Sequence, residues 1–202
     1  MPDPLTSQIP SRFETARLIL RPFEVGDAAA LHEALLESIV ELRRHLWFLP
    51  WVSQEQTFAA AQERCRTARS NFLLRTDLPY LAFKKDSGRL VGSVGLHRTD
   101  WNEPKTEVGY WIRTSEVGNG YASEGVEVLA DWALTDLQAI RVELVTLEEN
   151  AASRAVAVRC GFALEGVLRN VLRGPDGNLR HRYVFARLPS QAESGVQPSI
   201  PL

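Results

Sequence analysis

Two glycines stand directly in front of a helical pattern in the middle of this chain. Gly118 and Gly120 precede apolar residues that recur at the three-and-four spacing of one helix face, namely Val126, Leu129, Ala130, Ala133, Leu134 and Leu137. Glycine lets the backbone come close to a ligand, and the first turn of a helix leaves several N–H groups unpaired at the positive end of its dipole. The segment is therefore predicted to bind a diphosphate.

The residues around the glycines argue against two common kinds of phosphate site. A P-loop of the nucleotide-hydrolase kind ends in Gly-Lys-Ser or Gly-Lys-Thr, whereas residues 120–123 read Gly-Tyr-Ala-Ser. A dinucleotide-binding fold needs GxGxxG or GxGxxA after the first strand of a βαβ unit. Ser123 occupies the third position of that pattern, and several strand-like segments precede it.

A third kind of site fits the segment better. Gly120-Tyr121-Ala122 resembles the end of the Q/R-x-x-G-x-G/A loop with which GNAT-superfamily acetyltransferases hold the pyrophosphate of coenzyme A. Residues 15–23 (TARLILRPF) and 106–112 (TEVGYWI) are similar to strands of that family. Residues 149–169 (ENAASRAVAVRCGFALEGVLR) resemble a stretch of its ribosomal-protein group, which acetylates the terminal amine of serine or alanine. The resemblance covers about residues 15–188.

The resemblance implies acetyl-CoA as cosubstrate, no metal ion, and a set of coenzyme-binding residues. These are Val117, Gly118, Asn119, Gly120, Tyr121, Ala122, Ser123 and Asn150. Val117 falls where the family usually has Gln or Arg, which removes a side chain but none of the backbone donors. Ser123 could also supply a hydroxyl. Asn150 matches an asparagine that contacts the pantetheine arm in the family, and it could equally cap the following helix.

The departing thiolate and the acceptor amine each require a catalytic group. Many members of the family place a tyrosine seven residues after the asparagine, but that position is Ala157 here. Ser153 matches the serine that replaces this tyrosine in the ribosomal-protein group, and its other interpretation is an ordinary small helix residue. Glu107 occupies the family's glutamate position before the loop and is the predicted base, unless it is only paired with an arginine on the sheet surface.

The sequence also contains candidates for the acceptor side of the predicted site. His97, Asp100 and His181 are weaker candidates for the base, and His181 replaces what is commonly an aspartate in the ribosomal-protein group. The resemblance places Trp47, Phe48 and Trp51 in the wall of the acceptor pocket, with His97 beside them. Core packing explains the aromatic residues equally well. If they line the pocket, it is wide and aromatic, and it suits a peptide N-terminus or an amphipathic amine.

The order of patterns predicts one α+β domain over residues 13–188, with a mixed, mostly antiparallel central sheet flanked by helices. The chain has 202 residues, of which 45% are hydrophobic, enough for one core. Asp27 is predicted to cap a first helix, and a second helix is predicted over residues 54–70. A strand is expected over residues 141–147, and a helix over residues 151–160 that ends at Gly161. Residues 1–12 and 189–202 are expected to be flexible termini.

Charge and composition restrict the partners. The net charge is −2, so no global field attracts nucleic acid or an anionic membrane. No apolar run approaches the ~20 residues of a membrane span, and the first ten residues lack the regions of a signal peptide. A cytoplasmic protein is expected, either a monomer or a homodimer. Its two cysteines are too few for a disulfide framework or a zinc site.

These features predict an acetyl-CoA-dependent N-acetyltransferase. Its acceptor is expected to be a protein N-terminal α-amine, because an α-amine loses its proton far more readily than a lysine side chain. One alternative is an enzyme for a small amine such as an antibiotic, a polyamine or an amino acid. Another is a non-catalytic acyl-CoA-binding sensor on the same fold. The missing tyrosine favours the sensor, whereas Ser153 and Glu107 favour the enzyme.

Overall fold

The computed structural model describes residues 8–189. Its strands are β1 (Phe13–Glu14), β2 (Leu18–Pro22), β3 (Leu78–Lys84), β4 (Leu90–Asp100), β5 (Lys105–Ile112), β6 (Arg141–Leu147), β7 (Ala163–Arg173) and β8 (Leu179–Arg187). Its helices are α1 (Ala28–Leu46), α2 (Pro50–Ser53), α3 (Phe58–Leu74), α4 (Tyr121–Thr135) and α5 (Ala151–Arg159). The expectation of flexible ends falls largely on residues 1–7 and 190–202, which lie outside the described residues.

The eight strands form one sheet in the order β1-β2-β3-β4-β5-β6-β8-β7. Neighbouring strands are antiparallel except for β5 and β6, which are parallel because α4 connects them as a crossover. Pairing between β5 and β6 covers only residues 105–107 and 141–143. The rest of each strand has no partner on that side, which leaves an opening in the middle of the sheet. The predicted mixed, mostly antiparallel sheet flanked by helices is confirmed.

Helices cover both faces of the sheet. One buried cluster joins α1 and α3 to Leu81 and Trp111 of the sheet. The other joins α4 and α5 to residues that include Tyr80 and Val108. Because successive side chains of a strand point to opposite faces, β3 is buried along both of its faces. The core therefore has one layer on each face of the sheet, and the opening between β5 and β6 connects the two faces.

The predicted start of the second long helix was wrong, whereas α1 begins directly after Asp27 as predicted. The second long helix begins at Phe58 rather than at residue 54, because Thr57 is its N-cap and the Thr57 side chain accepts a hydrogen bond from the Ala60 N–H at 3.1 Å. Asp27 precedes α1, but its carboxylate makes no capping bond to that helix. It accepts instead from the Arg21 guanidinium at 2.5 and 2.7 Å, since a charge-assisted pair outcompetes a cap.

Other predicted elements agree with the structure. Strand β6 has the predicted bounds, and α5 ends one residue before the predicted Cys160. Gly161 follows with φ of +75°, the left-handed conformation expected of a helix C-terminal glycine. No helix within residues 8–189 is long and apolar enough to cross a membrane.

Candidate active site

The loop before α4 presents a row of free backbone donors. Gly118 and Gly120 have φ values of +85° and +82°, which favour glycine over residues with a Cβ. The chain then enters the first turn of α4, a helix of 15 residues. Within residues 8–189, the six N–H groups of residues 118–123 donate to no protein acceptor. Such a row at the positive end of a helix fits the diphosphate of coenzyme A.

Arg17, which directly precedes strand β2, holds this loop in place. Its guanidinium donates to the Asn119 carbonyl at 2.9 Å and to Glu124 Oε2 at 2.8 Å. It also lies 4.6 Å above the centre of the Tyr121 ring. The side chain of Val117, by contrast, is exposed and makes no polar contact. A positive charge therefore stands beside the loop although position 117 carries none.

The side chains of the loop contribute less than its backbone. Ser123 is buried, and its hydroxyl accepts a hydrogen bond from Arg159 at 2.9 Å. The Tyr121 ring is buried beneath Arg17. Arg159 thus occupies an acceptor position of the Ser123 hydroxyl, and the Ser123 backbone N–H is a further available donor.

A cavity of about 970 Å³ occupies the opening between β5 and β6. Residues 107–111 of β5 and 144–147 of β6 form its two edges, and it extends to the side chains of α2 and α3. Asn150 and Ser153 lie at its α5 end, while Glu107 lies where the two strands separate. The sheet opening thus brings the predicted acid, the predicted base and the predicted pantetheine contact into one space.

Ser153 belongs to a short chain of hydrogen bonds. The Asn150 side chain accepts from the Ser153 N–H at 3.0 Å, so Asn150 is the N-cap of α5. The Ser153 hydroxyl accepts from the phenol of Tyr110 at 2.9 Å. Burial raises the pKa of Tyr110 to about 12, which keeps the phenol protonated and able to donate. Because Tyr110 supplies the hydrogen that Ser153 accepts, the Ser153 proton remains free to donate into the cavity.

Glu107 lines the cavity and also pairs with an arginine. Its Oε2 accepts from the Arg98 guanidinium, and its side chain is 17% exposed. Among residues 8–189, Oε1 of Glu107 receives no hydrogen bond. The expected pairing with an arginine is therefore observed, and the role of Glu107 as the base stays a prediction that the unpaired oxygen permits.

The three weaker candidates for the base are separated by the structure. His97 lines the cavity, and its Nδ1 lies 3.2 Å from Asp77 Oδ1. Asp100 accepts the N–H groups of Asn102 and Glu103 in a turn outside the cavity. The Nδ1 of His181 accepts the Asn170 N–H in the closing hairpin, also outside it. Only His97 therefore remains beside Glu107.

The aromatic wall is partly as expected. Trp51 and Phe48 line the cavity, whereas Trp47 does not. The Trp47 ring packs edge to face on Phe48 at 5.7 Å, so it supports the wall from behind. Trp111 of β5 lies 6.4 Å from Trp51. The expected placement of Trp47 in the pocket wall is therefore corrected, whereas Phe48 and Trp51 lie there as expected.

Three cavity residues were missed in the sequence. Tyr110 lies on the strand face opposite Glu107, and strand alternation could have identified it as the neighbour of α5. Arg64 and Arg182 also line the cavity, and no motif in the sequence singles out either of them. Among residues 8–189, no group of three or more His, Cys, Asp or Glu side chains is placed to hold a metal ion.

Comparisons with known proteins agree with this geometry. Residues 17–163 match the family model described as an acetyltransferase (GNAT) domain. The chain is 29% identical to the uncharacterised N-acetyltransferase YoaA of Bacillus subtilis, over 79% of this chain and 86% of that protein. It is 25% identical to the ribosomal-protein-serine acetyltransferase of Escherichia coli, over 72% of this chain and 85% of that protein.

A solved structure shares the fold. It is RimL, a ribosomal L7/L12 alpha-N-protein acetyltransferase in complex with coenzyme A, with a TM-score of 0.79 and 22% identity. The match covers 90% of this chain and 97% of that one. The family model spans most of the chain, and the free row of N–H groups and the cavity through the divided sheet agree with it. The protein therefore belongs to the GNAT acetyltransferase family and is an acetyl-CoA-dependent N-acetyltransferase.

Proposed function

We propose that the enzyme acetylates the α-amine at the N-terminus of a protein. The observation that carries this proposal is the cavity, in which Glu107, Ser153 and Asn150 line one space between the separated strands. A chain terminus can enter from the aromatic side while the pantetheine arm enters beside α5. The relative of Escherichia coli is named for a ribosomal protein, and the structure that shares the fold is named for the α-amine of L7/L12.

The proton chemistry of the site supports an α-amine. An α-amine has a pKa of about 7.8, so more than a tenth of it is neutral at pH 7. A lysine amine with a pKa of about 10.4 is less than a thousandth neutral. Glu107, with one oxygen held by Arg98, would act through a water molecule on the easier of these protons.

Each step of the transfer has a proposed group. The amine nitrogen forms a bond to the thioester carbonyl carbon, and the carbon–sulfur bond breaks. Glu107 receives the proton lost by the amine, and the Ser153 hydroxyl donates a hydrogen bond to the departing sulfur. Tyr110 stabilises that arrangement because it donates to Ser153 as the Ser153 proton turns toward the sulfur. Asn150 would contact the pantetheine arm with its amide N–H₂, while its oxygen caps α5.

A screen of amines tests the proposal. The enzyme is given acetyl-CoA and one of three kinds of acceptor. These are peptides with a free N-terminus, the same peptides with a blocked α-amine but a free lysine side chain, and a set of small amines. Release of the thiol gives the rate, and mass spectrometry locates the acetyl group. We expect turnover with free N-termini and none with blocked ones.

The same screen separates the rival function. If a small amine is acetylated efficiently and no peptide reaches a comparable kcat/KM, the enzyme acts on a small molecule and the proposed protein acceptor is wrong. Acetylation of blocked peptides at lysine would show that the site removes protons from much less acidic ammonium groups than proposed.

A further inference from the structure

Arg64 of α3 is an unusual charge in the wall of the cavity. Its guanidinium carbon lies 3.7 Å from the centre of the Trp51 ring, so the two groups are stacked. Within residues 8–189 it forms no ion pair and no hydrogen bond, and its Nε is buried without a partner. Stacking covers the flat face of a guanidinium and leaves the N–H groups at its edge free for an acceptor.

Arg182 of β8 repeats this arrangement elsewhere in the same cavity. Its guanidinium carbon lies 4.4 Å from the centre of the Phe48 ring, and it forms no ion pair among the described residues. Burial lowers the pKa of Arg182 and lowers that of Arg64 to about 10. At neutral pH both side chains still carry their charge. The cavity therefore contains two partly buried cations that form no ion pair within residues 8–189.

The acidic groups of the cavity are engaged elsewhere. Glu107 pairs with Arg98, and Asp77 lies against His97. Glu63 faces outward and pairs with Arg66 at 3.3 Å. Glu55 is the exception, because it is exposed and forms no salt bridge within residues 8–189. No carboxylate of the described residues therefore forms an ion pair with Arg64 or Arg182, although the charge of Glu107 acts on Arg182.

The unsatisfied donors of the cavity point to the same chemistry. Trp111 is 4% exposed, and its Nε1–H has no acceptor among the described residues. Arg64 Nε–H and Trp111 Nε1–H can only donate, so a molecule that satisfies them must offer acceptor atoms. A partly buried cation without a partner costs stability until an anion binds to it. Arg64, Arg182 and Trp111 all line the same cavity.

We propose that the acceptor amine carries an oxyanion, a carboxylate or a phosphate, which Arg64 and Arg182 bind inside the cavity. This inference rests on the proposed function and names the class of acceptor that the site selects. In a peptide, the anion would be an acidic side chain close to the N-terminus. In a small molecule, it would be a phosphate or carboxylate of the amine itself. The apolar rings beneath the two guanidinium groups strengthen the attraction, because they keep the local dielectric low.

The test compares matched acceptors in the same enzyme preparation. One pair is an amidated peptide that begins Ser-Asp-Ala-Phe and one that begins Ser-Asn-Ala-Phe, with further pairs that move the acidic residue to the third and fourth positions. A second pair is O-phosphoethanolamine and ethanolamine. The ratio of kcat/KM for acidic over neutral acceptor does not depend on the fraction of active enzyme. We expect roughly 10-fold to 100-fold preference for the acidic member of at least one pair.

Variants assign the preference to the cavity. Arg64→Gln should lower the ratio at least roughly 10-fold. Arg64→Lys should retain part of the preference, since lysine keeps the charge but lacks the planar set of N–H donors that a guanidinium offers. Arg66→Gln is the matched control, because it removes the same charge from the same helix at an exposed position paired with Glu63. Its ratio should equal that of the unmodified protein. Arg182→Gln gives a second, independent measurement.

A binding measurement adds a readout that does not require turnover. Calorimetry with the N-acetylated acidic peptide and its neutral partner, in the presence of coenzyme A, should show the same preference and the same loss in Arg64→Gln. Equal ratios for all pairs, unchanged in Arg64→Gln, would overturn the inference and leave the proposed function intact. If no peptide or small amine is acetylated, the proposed function fails, and equal binding of the two acetylated peptides would then overturn the inference as well.

Discussion

The phenol of Tyr110 donates a hydrogen bond to the hydroxyl of Ser153 at 2.9 Å, across the opening that divides the sheet. Tyr110 comes from β5 and Ser153 from the first turn of α5. A tyrosine hydroxyl therefore stands at the α5 end of the cavity even though the position where many relatives carry theirs is the buried Ala157. In the proposed mechanism, this hydrogen-bonded pair donates to the leaving sulfur.

Ser153→Ala should lower turnover by about 10-fold to 100-fold with little change in acetyl-CoA affinity, because its interaction strengthens only as the sulfur departs. Tyr110→Phe should lower turnover by less. If the two residues act as a unit, the double variant should be no slower than Ser153→Ala alone. Steady-state rates and coenzyme calorimetry measure both quantities. Tyr183→Phe is the control, since its hydroxyl contacts Glu148 outside the cavity. Additive losses would show that Tyr110 acts independently of Ser153.

Gly120→Val should weaken coenzyme A binding by at least about 10-fold. Its φ of +82° disfavours a β-branched residue, and a Cβ would enter the row of N–H groups 3.5 Å from Arg17 Nη2. Gly177→Val is a matched control, because Gly177 has the same φ of +82° in the distant β7–β8 turn. Calorimetry should find coenzyme affinity lost only in the first variant. Equal affinities in the two would remove the loop from the coenzyme site.

The glycine-containing loop before α4 was readable from the sequence because its pattern is local. Two glycines, a helix start and a periodic apolar face all lie within about twenty consecutive residues. The bounds of β6 were readable for the same reason, since its β-branched residues and leucines fall together in one short segment. The start of α3 was missed because Thr57 and the preceding α2 decide it, and α2 begins at a proline that read as a break.

The acceptor side depends on contacts that sequence spacing does not reveal. Arg64 and Trp51 lie 13 positions apart and meet only because α2 folds against α3. Arg182 reaches Phe48 across 134 positions of the chain. Their stacking follows from the path of the backbone around the open sheet, so each arginine alone looked like an ordinary surface charge. The ion pair of Glu107 with an arginine was expected as one of its two interpretations, and its role as the base stays a prediction.

Glu37→Gln should reduce the free energy of unfolding by about 1–3 kcal/mol at pH 7. Burial alone would raise the pKa of Glu37, but hydrogen bonds from Ser115 and Arg113 lower it from 4.5 to about 2. A carboxyl with a lowered folded pKa contributes stability above pH 4.5, which is lost as the pH falls toward 2. Urea unfolding should therefore show the variant and the unmodified protein converging between those pH values. Glu41→Gln, an exposed change on the same helix, should show no such convergence.

Glu107→Gln should depress the rate most below neutral pH. There the acceptor α-amine, with a pKa of about 7.8, is mostly protonated, and removal of its proton limits the reaction. At pH 9 about nine-tenths of such an amine is already neutral, so the variant should recover much of the normal rate. The measurement is kcat/KM from pH 6 to pH 9 with a verified acceptor.

Glu143→Gln is the control for this profile, because Glu143 pairs in register with Glu107 on the adjacent strand but binds Arg141 outside the cavity. Its profile should follow that of the unmodified enzyme. A loss in Glu107→Gln that is the same at every pH would make Glu107 a positioning residue, and the base would then be sought at His97, which lines the same cavity and contacts Asp77. A normal rate at all pH values would remove Glu107 from the mechanism, because an essential base leaves a pH-dependent deficit when its carboxylate is replaced by an amide.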